Sequence, residues 1–263
     1  MKFIEQATPS RVAKFSHIAK PWLLGSAVVV LAAGLYGAFV TAPADYQQGE
    51  TIRIMYIHVP MAWLAMFAYA MMASSAIATL AFKHPMADVS AKVLAPIGAV
   101  FTAVCLITGS LWGKPMWNTW WVWDARLTSV LILFLVYLGI ISLWQAIEEP
   151  QKAGKVTAVV ALIGAINLPI IKFSVDWWYT LHQPASVFRM DGPTIHPTML
   201  YPLLICAVGF MLLFFYLYFA AMDNEMKRRR VRALQMRAAR HEARSQARDT
   251  DLSGADTAPE GAA

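Results

Sequence analysis

Residues 128–146 read TSVLILFLVYLGIISLWQA and contain no charged side chain. This stretch approaches the length of about 20 apolar residues that a helix needs to cross the hydrocarbon core of a bilayer. Five other stretches of the chain have the same character. Together they predict six membrane spans, near residues 22–41, 61–82, 93–111, 128–146, 155–172 and 200–221.

The composition of the whole chain agrees with a membrane location. Of the 263 residues, 58% are hydrophobic and only 14% are charged, whereas soluble domains carry about 25% charged residues. A backbone in lipid must satisfy its own hydrogen bonds, which favours helices, and the alternating strands of a membrane barrel are absent from the sequence. We therefore predict an all-α integral membrane protein with six transmembrane helices.

The distribution of basic residues predicts the orientation of these spans. Most of the 22 Lys and Arg residues lie in the two tails and in the connections after spans two and four. Basic residues mark the cytoplasmic side of a membrane protein, so both termini are predicted to be cytoplasmic. The connections expected to face outward are 42–60, 112–127 and 173–199.

Three regions follow from this topology: a cytoplasmic tail over 1–21, a six-helix membrane domain over 22–222 and a cytoplasmic tail over 223–263. The last tail holds nine of the 22 Lys and Arg residues, all of them between 227 and 248. A basic run beside a span holds orientation and attracts anionic lipid, which we favour over nucleic-acid binding. Residues 224–248 are predicted to form a helix at the cytoplasmic surface, and residues 249–263 to be disordered.

A Trp-rich segment over residues 112–128 lies in the second outward connection. It holds five of the ten tryptophans and ends with a pair of charged residues, and these seven are Trp112, Trp117, Trp120, Trp121, Trp123, Asp124 and Arg126. Trp presents a large apolar surface, so the segment requires a flat apolar partner, either lipid headgroups or a planar ligand. A short interfacial helix over 116–126 would place positions 117, 120, 121 and 124 on one face. The alternative is an ordinary aromatic belt.

Three histidines lie on the predicted outer side: His58, His182 and His196. Imidazole ligates haem iron, and two imidazoles on opposite faces saturate it. The propionates of such a porphyrin would meet a cation, for which the candidates are Arg126, Lys114, Arg53 and Arg189. The alternative is that the histidines are interfacial polar residues at helix starts.

Three motifs resemble one known family. The sequence WGKPMW at 112–117, followed by WWVWDARLTS at 120–129, resembles the tryptophan-rich "WWD" signature of haem-handling proteins. The segments YIHVP at 56–60 and DWWYTLHQP at 176–184 are similar to the six-span CcmC branch of that family, the haem exporter protein C of bacterial cytochrome c maturation. The resemblance covers roughly residues 20–222.

This resemblance implies a site and a set of partners. His58 and His182 would be the axial ligands of a transiently held haem b, beside the WWD loop at 112–128 in the periplasm. The chain would lie in the bacterial inner membrane and present haem to the periplasmic chaperone CcmE, working with the ABC transporter subunits CcmA and CcmB and with CcmD. Two residues depart from the family pattern, Asn118 for glycine and Tyr179 for asparagine. Asn tolerates a left-handed backbone, so a turn at 118 can survive.

Other functions remain open at this point. A haem-translocating permease subunit would need polar or broken sites near the midplane, and the fifth span offers Asn167 and Pro169. A bis-histidine electron carrier would place its ligands inside the spans. An enzyme acting on a lipid-linked substrate would have only Asp124 as a base. The chain has no phosphate-binding Walker loop and no Cys-x-x-Cys-His for covalent haem attachment. Whether a protein that delivers haem to another protein counts as an enzyme is left open.

Overall fold

A computed structural model describes residues 8–84 and 86–255 of the chain, and in these two stretches it contains no β-strand. The helices are α1 (Pro9–Tyr36), α2 (Met55–Phe82), α3 (Ala87–Trp117), α4 (Ala125–Ala146), α5 (Pro150–Ala165), α6 (Asn167–Trp177) and α7 (Pro197–Ala255). A π-helical turn over Gly37–Thr41 extends α1, and a 3-10 turn over Glu50–Ile54 leads into α2. Six segments are long and apolar enough to cross a membrane, which confirms the predicted all-α membrane fold.

The second span begins earlier than hydropathy indicated. Helix α2 starts at Met55 rather than near residue 61, so His58 lies inside the helix instead of preceding it. The first turn of α2 contains polar side chains, and neighbouring elements of the structure bury them. Tyr56 is fully buried and His58 is 8% exposed.

The third span ends later than predicted, and this divides the Trp-rich segment. Helix α3 runs through Trp117 and stops at Asn118, which has a left-handed backbone (φ 56°) as the sequence allowed. Lys114 Nζ donates to the carbonyl oxygen and to Oδ1 of Asn118, both at 3.2 Å. The interfacial helix considered for 116–126 therefore does not form, because residues 118–124 are not helical.

The fifth span is broken into two helices at Ile166. Asn167 at this break donates from Nδ2 to the carbonyl oxygen of Ser129 at 2.8 Å, which ties α6 to α4. Just before the break, the hydroxyl of Tyr69 donates to the carbonyl oxygen of Ala161 at 3.0 Å. The break therefore has partners on two neighbouring helices, and buried polar groups require such partners.

Buried tyrosines and glycines fit together at the centre of the bundle. A Cβ atom on Gly98 would lie 2.1 Å from Cζ of Tyr137, so only glycine leaves room for this ring between α3 and α4. The Tyr137 hydroxyl donates to the carbonyl oxygen of Ala65 on α2 at 2.9 Å. The rings of Tyr137 and Tyr69 meet edge to face at 5.1 Å. These contacts fix the spacing of α2, α3 and α4, which carry most of the site described below.

The chain divides into two compact units, Met1–Met222 and Asp223–Ala263. The second unit is helical as far as Ala255, where α7 ends. Within it, Arg229 Nε donates to Glu225 Oε1 one turn away at 3.1 Å. Residues 249–255, predicted to be disordered, are thus helical, whereas residues 256–263 and residues 1–7 lie outside the described residues.

Candidate functional site

A cavity opens at the end of the bundle where α2 begins and α3 ends. It encloses about 1130 Å³ of atom-free space, part of which is open solvent. Its floor includes the buried apolar residues Ala65, Leu133 and Ile171. Its walls contain eight of the residues singled out by the sequence, and these are His58, Trp112, Trp117, Trp120, Trp121, Asp124, Arg126 and His182. We call this space the histidine cavity.

The two histidine rings of the cavity are close to each other. Their centroids lie 6.4 Å apart and their planes differ by 37°. His58 Nδ1 faces the carbonyl oxygen of Cys105 at 3.0 Å and the hydroxyl of Thr108 at 3.1 Å. His182 Nδ1 faces the carbonyl oxygen of Gln183 at 2.9 Å.

These contacts determine which nitrogen of each ring is free to bind a metal. A carbonyl oxygen can only accept, so the hydrogen of each neutral ring belongs on Nδ1. The lone pair then resides on Nε2 of both His58 and His182. A carbonyl partner on the other nitrogen is the arrangement that orients metal-binding histidines in proteins.

His58 is confined on two sides by residues of α3. A Cβ atom on Gly109 would lie 2.9 Å from Cε1 of the His58 ring, closer than side-chain carbons pack. The indole of Trp112 meets the same ring edge to face, with centroids 5.7 Å apart. Glycine at 109 thus makes room for the imidazole, a role that the apolar sequence of the third span did not indicate.

His182 belongs to the connection between α6 and α7. Burial lowers its pKa from the ordinary imidazole value, and the positive charge of Arg126 lowers it further. The carbonyl of Gln183 and the carboxylate of Asp124 act in the opposite direction and raise the pKa. The net result is a lowered pKa, so His182 stays neutral, and able to bind a metal, in more acidic solution than a free imidazole.

The five tryptophans of the Trp-rich segment have different positions. Trp112 and Trp121 are partly buried in the cavity wall, and Trp117 and Trp120 line it while 36% and 55% exposed. Trp123 is not among the lining residues: it is 75% exposed and packs edge to face on Trp121 at 5.6 Å. Trp123 therefore packs against the cavity wall without being part of it.

Asp124 and Arg126 have separate structural tasks at the start of α4. Asp124 Oδ1 accepts from the backbone N–H of Leu127 at 2.8 Å and so caps the helix, which is the typical role of Asp at this position. Arg126 Nε donates to the hydroxyl of Ser174 on α6 at 2.6 Å. Both side chains line the cavity.

Two polar atoms of the wall are buried without a hydrogen-bond partner among the described residues. They are Trp121 Nε1, a donor, and Asp124 Oδ2, an acceptor. Buried polar groups in folded proteins are almost always satisfied. These two atoms therefore indicate where a ligand or ordered water would complete the site.

The other candidate cations lie elsewhere. Lys114 binds Asn118, Arg53 pairs with Glu50, and none of Lys114, Arg53 and Arg189 is among the residues that line the cavity. Arg189 pairs with Asp191 in an exposed connection, where the hydrogen bond raises the pKa of the arginine and lowers that of the aspartate. His196 is exposed and hydrogen-bonds Thr198 at 2.8 Å.

The chemistry of the site follows from what is present. Among the described residues, no three His, Cys, Asp or Glu side chains come together as a metal-binding group. Two imidazoles with free Nε2 atoms can instead complete a metal that brings its other ligands with it. An apolar floor and aromatic walls suit a flat apolar carrier of that metal, and Arg126 supplies positive charge in the wall.

Sequence reasoning missed several residues of this site. Gln48 and Gln183 line the cavity from two different connections, and Ser174 orients Arg126. A polar residue in a connection gives no periodic signal. The residues that such a side chain contacts are known only once the packing of the helices is known.

Comparison with known proteins agrees with the motifs. The CcmC family model, described as "Heme exporter protein C", matches residues 2–237. A "Heme exporter protein C" of Bradyrhizobium diazoefficiens is 57% identical over 90% of this chain and 89% of its own length. The protein of that name from Escherichia coli K12 is 49% identical over 79% of this chain and 83% of its own. A Marchantia polymorpha protein named "Putative cytochrome c biosynthesis ccmC-like mitochondrial protein" is 47% identical over 73% of this chain and 81% of its own.

Proposed function

Because the chain belongs to the Heme exporter protein C family, we propose that it binds haem at the periplasmic face of the bacterial inner membrane and delivers it to the chaperone CcmE during cytochrome c maturation. Relatives named for haem export and cytochrome c biosynthesis support the pathway. The histidine cavity is the proposed place of binding.

The carrying observation is the separation of His58 and His182. Two metal–nitrogen bonds of about 2 Å, with about 1.1 Å from each nitrogen to its ring centre, place the centroids of two axial imidazoles about 6.2 Å apart. The centroids here are 6.4 Å apart. Each ring also keeps Nε2 free, because Nδ1 faces a carbonyl oxygen. The pair therefore supports axial ligation of haem iron on both faces.

The remaining wall suits the rest of the porphyrin. The Trp112 and Trp121 indoles offer flat apolar surface for stacking or edge contacts. Arg126 provides a cation for a propionate, and Trp121 Nε1 provides an unused donor. Ligation by histidines leaves no covalent bond between the porphyrin and the chain, which is compatible with release, and we infer that haem b is bound transiently.

Topology and partners complete the proposal. The surplus of basic residues in the tails supports cytoplasmic termini, and a cavity that faces the periplasm is consistent with them. We infer that the chain works in a complex with the ABC transporter subunits CcmA and CcmB and with CcmD, since members of the family are named as haem exporters.

Co-expression with CcmE tests this function. Covalent haem on the chaperone is measured with the wild-type chain and with His58→Ala, His182→Ala and His196→Ala. We expect loading to be lost in the first two variants and retained in the third, because His196 is an exposed histidine that does not line the cavity. Loading that persists in both His58→Ala and His182→Ala contradicts the proposed ligands. Haem that binds to the wild-type chain but never reaches CcmE favours an electron carrier instead.

A further inference from the structure

The connection before α2 contains a hydrogen-bonded turn whose role the proposed function does not explain. Asp45 Oδ1 accepts from the backbone N–H groups of Gln47 and Gln48 at 2.9 and 2.8 Å. The backbones of Asp45 and Gly49 exchange two hydrogen bonds, and Gly49 has a positive φ of 57°. These contacts support the backbone on both sides of Gln48.

The side chain of Gln48 reaches from this turn into the wall of the histidine cavity. Its Oε1 accepts a hydrogen bond from Trp112 Nε1 at 3.0 Å, joining the turn to the end of α3. Trp112 in turn meets the His58 ring edge to face. A continuous series of contacts thus runs from the turn through Gln48 and Trp112 to His58.

His58 needs such support because its own hydrogen bonds do not fix the plane of its ring. The Cys105 carbonyl and the Thr108 hydroxyl locate Nδ1, but the ring can still tilt about that nitrogen. Gly109 limits the tilt on one side, since the ring already fills the space above it. Trp112 limits it through the edge contact, provided that the indole itself stays in place.

We propose that Gln48 is a positioning residue that holds Trp112 against His58 and thereby sets the orientation of this imidazole toward the haem iron. The inference rests on the proposed function, in which His58 is an axial ligand. Without the Gln48 oxygen, the indole N–H loses its partner in a partly buried site, which is unfavourable. The indole then turns to find another acceptor, and the His58 ring loses its lateral support.

A direct contact between Gln48 and haem is the competing explanation. Gln48 lines the cavity, and its amide nitrogen is a donor that a propionate could accept from. The two explanations differ in whether the effect of Gln48 passes through the Trp112 N–H. A double-mutant cycle with Trp112→Phe, which removes that N–H, separates them.

Four variants of the full-length chain in detergent carry the test. Gln48→Leu removes the acceptor, Gln48→Glu keeps an acceptor oxygen, and Trp112→Phe removes the donor. Gln47→Leu is the matched control, because Gln47 has an exposed side chain one residue away. Each protein is titrated with haemin, and the ferric low-spin electron paramagnetic resonance spectrum, which reports the orientation of the axial imidazole planes, is recorded.

We expect haem affinity to fall about five-fold in Gln48→Leu, the size of one lost hydrogen bond, with shifted g-values. Gln48→Glu and Gln47→Leu should retain the wild-type spectrum. Gln48→Leu should have no further effect in the Trp112→Phe background. A readout without haem is the ¹⁹F spectrum of fluorotryptophan-labelled protein, in which the Trp112 resonance should move in Gln48→Leu but not in Gln47→Leu.

The outcomes separate the two levels of the proposal. A wild-type chain that binds no haem refutes the proposed function. If the wild type binds haem and Gln48→Leu has the same affinity and spectrum, the positioning role is overturned. Additive effects of Gln48→Leu and Trp112→Phe also overturn it, because they mean that Gln48 acts on haem directly.

Discussion

Replacing Gly109 with alanine should disturb haem binding without removing any functional group. The added Cβ would lie 2.9 Å from Cε1 and 3.5 Å from Nδ1 of the His58 ring. Carbon atoms in contact prefer separations of about 3.5–4.0 Å, so the ring must move by about 0.6–1 Å. Metal–ligand distances in a functional site hold to within about 0.2 Å. The displaced ring therefore cannot keep its place opposite His182.

Two opposing contributions determine the effect of Gly109→Ala: the cost of the added carbon and the higher helix propensity of alanine. Forcing an extra carbon into a packed site costs about 1–3 kcal/mol, which corresponds to about five- to 150-fold in haem affinity. Alanine also favours the helix over glycine by about 1 kcal/mol. In the haem-free protein no iron fixes the position of the ring, so the stability of the free chain should change less than its affinity for haem.

Gly139→Ala provides the matched control, because a Cβ atom there meets nothing within 4 Å. Both variants receive the same helix-propensity gain, and only Gly109→Ala crowds His58. The measurement is a haemin titration followed at the Soret band, with thermal unfolding of the haem-free proteins in parallel. Equal haem affinity and equal spectra for the two variants would refute the position assigned to the His58 ring.

Three further predictions concern the cavity wall. Asp124→Ala should lower the free energy of unfolding by about 1 kcal/mol through loss of the helix cap, whereas Asp124→Asn should retain it; equal losses in calorimetry would mean that charge matters rather than capping. Protons and iron compete for the same ring nitrogen of His182. Because the pKa of His182 is lowered, haem affinity should fall in acid only at pH values below the pKa of an ordinary imidazole. Arg126→Gln should raise that pKa and move the midpoint of haem loss to higher pH; a midpoint that is unmoved or lower argues against this coupling. Trp121→Ala should weaken haem binding in titrations, while Trp123→Ala should not, because only Trp121 lines the cavity.

The sequence was a good guide to the fold and a partial guide to the site. Apolar runs predicted all six spans, because lipid demands a minimum apolar length. The boundaries were less accurate, since hydropathy cannot register that packing covers polar residues such as His58. The interfacial helix considered for 116–126 does not form, because α3 ends at Asn118 and Asp124 caps the start of α4. The ends of the two helices determined the conformation of this connection, and the helical spacing of its tryptophans did not.

The sequence predicted the types of residue in the site, and the tertiary structure showed which of them come together. Residue types alone indicated imidazole ligands, aromatic walls and a cation, because few side chains bind iron or match a porphyrin. Which of these residues meet was decided by tertiary structure. Trp123 turned outward, Gln48 entered the wall, and the rings of His58 and His182 came within 6.4 Å. The two histidines are far apart in the chain, and their separation depends on how α2, α3 and the connection before α7 pack, which no local pattern encodes.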